Sequence, residues 1–233
     1  RRHSYRVAEY SALIAKQLGW SEHEVENLRN AAYLHDIGKI GVPDTILNKP
    51  TRLTDEEFAA IKSHTVMGAD ILKDITLLEH LVDIARSHHE RYDGKGYPDG
   101  LVGEEIPLSA RIVCVADSYD AMRSRRIYRN ALPDEEIRRE LLDNCGTQFD
   151  PQIARMFVDM LDNGMVVIDE DNPAAQGYRD NAAIESAADK FISEVMKTMS
   201  SQEKADSVDY LTGLHMRSRG QQIIAALMQD NDG

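Results

Sequence analysis

Cysteine is scarce in this chain: 233 residues hold two, Cys114 and Cys145, and neither has a CxxC partner. A disulfide framework is excluded, and both read as reduced thiols in predicted helices of a cytoplasmic protein rather than as metal ligands. Positive charge is short as well. Lys and Arg number 27 against 40 Asp and Glu, a formal net charge of -13. That balance argues against a polymeric nucleic-acid partner, because phosphate neutralisation needs a basic face. A small anionic substrate needs only a local basic island. Long apolar runs are missing: the stretch 112–116 is a fraction of the ~20 residues of a membrane span, and no secretory signal is visible. No internal repeat or low-complexity block is evident. A capping residue is missing ahead of the first helical pattern, and the first residue is Arg1, so the expectation is an excised part of a longer protein.

What is present suffices for one sizeable domain plus an appendage, with 42% apolar and 29% charged residues. Val7, Tyr10, Ile14 and Leu18 mark one face of a first helix that stops at Gly19. Ser21 with Glu24 is a capping-box pattern opening a second helix, whose apolar residues lead into His35 and Asp36 before a break at Gly38. Thr54 with Glu57 opens another that is predicted to reach His64 and run on to Leu72. Residues 76–90 read as a helix ending in Ser87, His88, His89 and Glu90, and the next seventeen residues form a loop dense in Gly, Pro and Asp. Residues 108–123 are nearly continuously apolar, which predicts a buried central helix carrying Asp117 and Asp120. Two Pro-initiated helices follow, at 133–144 and 151–161, and the run 165–168 closes the domain.

Five of the eight histidines, His3, His35, His64, His88 and His89, fall at helix ends or beside Gly-containing breaks, alongside Asp36 and Asp117. Imidazole and carboxylate without thiolate favour iron, manganese or zinc over calcium. The set exceeds what one ion takes from a protein, so two metals are the better reading. Adjacent helical residues diverge by about 100°, so Asp36 beside His35 suits a bridge between two ions. Lys39 lies one turn beyond, where an ammonium meets an anionic substrate. Arg123, Arg125, Arg126 and Arg129 make the basic island, read as phosphate or guanine binding in preference to a solvated face.

Three stretches, HDIGK at 35–39, HHERYDGKGYPDG at 88–100 and ADSYDAM at 116–122, resemble the HD-GYP family, a branch of the HD phosphohydrolases that hydrolyses the bacterial second messenger cyclic di-GMP. The resemblance covers residues 1–168. It implies an all-α, HD-type helical bundle with a GYP loop and a centre of two or three divalent metal ions, iron or manganese. Carried over position by position, the metal ligands fall on His3, His35, Asp36, His64, His88, His89 and Asp117. The phosphate-contacting lysine falls on Lys39, and the substrate-contacting basic pair on Arg126 and Arg129. Some members add a carboxylate about four residues before the first histidine, a position this chain does not contain, so the metal count is open. Here Ile127 stands where the family usually has Pro, Arg125 where it often has Asp, and Thr65 where Pro is common.

The implied reaction is hydrolysis of the 3'-5' phosphodiester to pGpG, GMP or both by a hydroxide held between two cations, with Asp36 fixing their spacing and Lys39 offsetting charge on the phosphoryl oxygens. Gly96, Tyr97 and Pro98 form a substrate-side wall, or else a loop that buttresses the histidine pair. Two other readings stay open: an HD phosphohydrolase acting on another nucleotide, including a mixed cyclic dinucleotide, and a catalytically silent interaction module. Residues 169–208 read as a linker and connecting helix. Within them Ile184, Ala188, Phe191, Val195 and Met199 mark an amphipathic face over 183–199 that suits either its own domain or a homodimer seam. Residues 209–233 begin DYLTGLHMR, which resembles the start of a GGDEF domain, too short for cyclase activity but implying such a module as partner.

Overall fold

The first helix buries Val7, Tyr10 and Ile14, the spacing of three and four residues that the sequence pattern predicts. The computed structural model describes residues 2–73, 81–124 and 131–168. All lie in the first of two compact units, Arg1–Arg179. The basic residues Arg125, Arg126 and Arg129, the amphipathic face over 183–199 and the GGDEF-like stretch are outside the described residues, as is the linker from 169.

Helix α1 (Arg2–Gln17) ends in a Schellman arrangement around Gly19, whose φ is 82°. The Trp20 N–H donates to the Ala15 carbonyl at 3.1 Å and the Gly19 N–H to that of Lys16 at 3.0 Å. Helix α2 (Glu22–Tyr33) opens with the expected reciprocal cap, in which the Glu24 N–H donates to Ser21 Oγ and the Ser21 N–H to Glu24 Oε2. Next come a 3-10 turn (Ile37–Gly41) and the short α3 (Asp44–Leu47). Helix α4 (Asp55–Lys62) carries the second capping box, and α5 (His64–Lys73) follows it. Helix α6 is Val82–Ser87, α7 Leu108–Arg123, α8 Asp134–Asp143 and α9 Pro151–Asp162. No named strand occurs among the described residues, so the architecture is all-α.

Helix α7 is the centre, as its composition predicts. Ala110, Ile112, Val113, Cys114, Val115 and Ala116 are all buried, and Tyr119 meets Tyr10 of α1 at 4.8 Å and Phe157 of α9 at 5.0 Å between ring centroids. The closing run contributes Val166 to the same core.

Three boundaries differ from the sequence pattern. Helix α2 stops at Tyr33, so His35 and Asp36 sit on the turn after it rather than inside a helix. The predicted helix from Thr54 to Leu72 is divided at Ser63, whose hydroxyl donates to the Ala60 carbonyl at 2.7 Å. The helix before the histidine pair ends at Ser87, which leaves His88 as its cap and His89 on the following turn. In each case the ligand-type residues stand where the backbone leaves helical geometry. An apolar period read along the sequence does not mark those ends.

Candidate metal centre

The turn bearing His35 and Asp36 is pressed against α5. A Cβ on Gly38 would lie 1.9 Å from the His64 carbonyl oxygen and 2.4 Å from the Gly68 nitrogen, so only glycine permits this approach. The contact of Gly38 with Gly68 sets Asp36 beside His64. From the other side α6 ends at the same place, and α1 and α7 bring His3 and Asp117.

The imidazoles are oriented by the backbone. Nδ1 of His35 donates to the Ala32 carbonyl at 2.6 Å, Nδ1 of His64 to Ile61 at 2.6 Å, and Nδ1 of His88 to Ile84 at 2.9 Å. A carbonyl only accepts, so each Nδ1 carries the proton and each Nε2 presents a lone pair. The lone pairs converge: Nε2 of His64 and Nε2 of His88 are 3.4 Å apart. Facing lone pairs at that distance repel unless a cation lies between them.

The side chains fall into two groups whose ligand-type atoms lie within 4.8 Å of one another, Asp36 with His64, His88 and His89, and His3 with His35 and Asp117. Asp36 faces both. Its Oδ1 lies 3.4 Å from His64 Nε2 and 3.8 Å from His88 Nε2, while its Oδ2 lies 3.4 Å from His35 Nε2. Asp36 Oδ1 and His35 Nε2 are also buried without a hydrogen-bond partner. Buried polar atoms are rarely left so, and donors of this chemistry fit divalent cations of the iron, manganese and zinc type.

Electrostatics separate the two groups. Burial pushes the pKa of His89 down to about 4 and that of His64 below its ordinary value; burial and the neighbouring His89 and His35 push His88 well below it. These rings are neutral near pH 7, the state a metal requires. Burial also disfavours the charged form of His3, but the hydrogen bonds and charges of Asp117 and Asp120 outweigh it and raise His3 to about 9. Burial alone would raise Asp36. Without a cation His35, despite its own burial, has its pKa raised by Asp36 and takes up a proton; this imidazolium with the Lys39 ammonium holds Asp36 far below the usual carboxylate range.

Asp120 is a partner that sequence spacing left without a role. It is 1% exposed, accepts from His3 Nδ1 at 2.7 Å, and is itself held by Arg6 Nε at 2.5 Å and Nη2 at 3.0 Å. His3 Nε2 then lies 3.2 Å from Asp117 Oδ1. Carboxylates commonly orient metal-ligating histidines in this way. Lys39 Nζ sits 2.5 Å from Asp36 Oδ2.

Glu90 is a second such residue. It is 2% exposed, and its Oε1 accepts from the backbone N–H of Asp99 at 2.7 Å and of Gly100 at 3.1 Å, which ties the Gly-rich loop to the histidine pair. Gly96 lies against the same segment, since a Cβ there would sit 2.2 Å from the Arg91 nitrogen. The Tyr97–Pro98 peptide is cis, and the Tyr97 ring packs 4.9 Å from that of His89. The ring of Phe58, on α4, has its centroid 6.4 Å from that of Tyr97.

Comparison with known proteins supplies the family. The HD domain model matches residues 1–153. A cyclic di-GMP phosphodiesterase of Thermotoga maritima is 49% identical over 159 residues, 67% of this chain and 43% of that protein. A 3'3'-cGAMP-specific phosphodiesterase of Vibrio cholerae is 38% identical over 167 residues, 71% of this chain and 32% of that protein. Among solved structures, an HDG"Y"P protein from Bdellovibrio bacteriovorus aligns with a TM-score of 0.54 at 25% identity, covering 69% of this chain and 51% of its own. The chain spans less than half the length of the curated relatives it matches. No helix among the described residues is long and apolar enough to cross a membrane.

Proposed function

This chain belongs to the HD domain family, and on that premise we propose that it is a metal-dependent phosphodiesterase that opens cyclic di-GMP to pGpG, GMP or both. The observation that carries the reading is Asp36, whose two carboxylate oxygens face two different groups of potential ligands. The name of the Thermotoga relative supports the substrate.

In this reading His3, His35 and Asp117 would hold one cation, His64, His88 and His89 the other, and Asp36 would contribute to both. Iron or manganese suits the donor set, and a third ion is left open. When bound, such ions supply Lewis acidity and lower the pKa of water toward neutrality. The chain does the rest. Asp120 and the three backbone carbonyls keep Nε2 of His3, His35, His64 and His88 aimed inward. Lys39 exchanges its bond to Asp36 for a phosphoryl oxygen as negative charge grows there. Gly96, Tyr97 and Pro98 wall the substrate side and keep bulk water from the histidine pair, and Arg126 and Arg129 add basic contacts to the dinucleotide. We place the enzyme in the cytoplasm, with a homodimer seam over 183–199 and GGDEF-type modules as partners.

A second reading is hydrolysis of the mixed cyclic GMP-AMP dinucleotide, which the name of the Vibrio relative supports. The two are separated by incubating the manganese-loaded protein with each cyclic dinucleotide and resolving the products by chromatography. Linear products from cyclic di-GMP alone or preferentially bear out the first reading; products from the mixed dinucleotide alone favour the second.

A further inference from the structure

Phe58 is a large hydrophobic side chain left 46% exposed on α4, a helix that buries none of its own residues. It has aromatic and cationic neighbours. Its ring centroid is 6.4 Å from that of Tyr97, at an interplanar angle of 79°, and the Tyr97 ring also packs 4.9 Å from that of His89 of the proposed centre. Lys62, four residues on and therefore on the same helical face, holds its ammonium 5.0 Å from the Phe58 ring and 5.7 Å from that of Tyr97. Two rings meeting nearly at right angles with a cation above both make a corner, open to solvent on the Phe58 side. The corner is firmly based. Lys49 pairs with Glu57 at 2.6 Å, and the Thr54 cap fixes the first turn of α4.

We propose that Phe58 and Lys62 form, with Tyr97, a purine-binding corner that selects guanine at the substrate side of the centre. The inference rests on the phosphodiesterase reading only in that the centre holds the phosphate of a nucleotide. An exposed aromatic face gains from covering by a base, and stacking tolerates any base because all present a π-face. Discrimination falls to Lys62. An ammonium only donates, and guanine offers two adjacent acceptors, O6 and N7, where adenine pairs an N7 acceptor with an N6 donor. Lys62 therefore favours guanine over adenine. Neither residue lies in the HDIGK, HHERYDGKGYPDG or ADSYDAM stretches, and neither was distinguishable in sequence from an ordinary helical surface.

The test is calorimetric titration of the full chain, loaded with Mn2+, with GMP, AMP and ribose 5-phosphate. GMP is expected to bind about tenfold more tightly than ribose 5-phosphate, the base supplying the difference. Phe58→Ala is expected to bring that ratio close to one, and Lys62→Met to bring GMP and AMP together while GMP still exceeds ribose 5-phosphate. Unchanged ratios in both variants, or no advantage of GMP over ribose 5-phosphate in the wild type, overturn the proposal. Binding needs no turnover, so a chain that leaves cyclic di-GMP intact but shows these ratios refutes the phosphodiesterase reading and not the corner. An active phosphodiesterase with ratios insensitive to Phe58→Ala refutes the corner alone.

Discussion

Gly38 and His64 touch through their backbones: the Cβ that Gly38 lacks would overlap the His64 carbonyl oxygen, at 1.9 Å. The turn that carries Asp36 therefore reaches α5 only because residue 38 has no side chain. Gly38→Ala must push the turn away from α5, and overpacking of this kind costs about 1–3 kcal/mol. Thermal unfolding should fall by several degrees, and chelator competition should show weaker metal binding. An alanine variant with wild-type stability and metal affinity would mean that the turn is not seated as described.

Asp120 touches no other proposed ligand than His3, yet it sets that ring. Asp120→Asn keeps the volume and removes the charge shared with Arg6. Loss of such an orienting carboxylate typically weakens metal affinity 10–100-fold. Metal content after dialysis should drop accordingly, and excess Mn2+ should restore it. Retention of metal equal to wild type would leave Asp120 a purely structural residue.

Glu90 supplies the acceptor for two backbone N–H groups of the Gly-rich loop. Glu90→Ala leaves both without it, at about 1–3 kcal/mol. Amide exchange at Asp99 and Gly100 should accelerate strongly, and Glu90→Gln, which keeps an acceptor oxygen, should exchange at an intermediate rate. Equal protection in all three proteins would dissociate Glu90 from the loop.

Burial pushes the Cys114 thiol up to about 12, with the Asp117 charge adding to it. Almost no thiolate then exists at pH 8, and the side chain is 8% exposed. A disulfide reagent at that pH should modify Cys145 first and Cys114 only on unfolding. Simultaneous modification of both in the native protein would contradict the packing of α7.

The sequence carried much of this site in its residue types. His35 with Asp36, the His88 and His89 pair, and a carboxylate in an apolar helix are chemically conspicuous, and α7 was legible as central because its apolar content is nearly continuous. The helix ends were not legible. Leu34 and Ser63 look like any helical residue, and the close approach of Gly38 to Gly68 just beyond the end of α2 is a contact made across the fold. Asp120 stood out in the sequence as a buried acid needing a partner, but that partner lies 117 residues away on α1. Glu90 was visible only as part of a string, since its contacts are to backbone amides whose position the loop conformation decides. Phe58 read as one apolar residue on a short helix; its meaning comes from the ring of Tyr97 opposite.

The central claim is that Asp36 joins two metal-binding groups into one hydrolytic centre. The direct measurement is turnover of cyclic di-GMP by the full chain, purified anaerobically and supplied with Mn2+ or Fe2+, beside Asp36→Ala under the same conditions. The account predicts hydrolysis by the wild type and only background in the variant. Wild-type turnover in Asp36→Ala, or an intact substrate with the metal-loaded wild type, would contradict it.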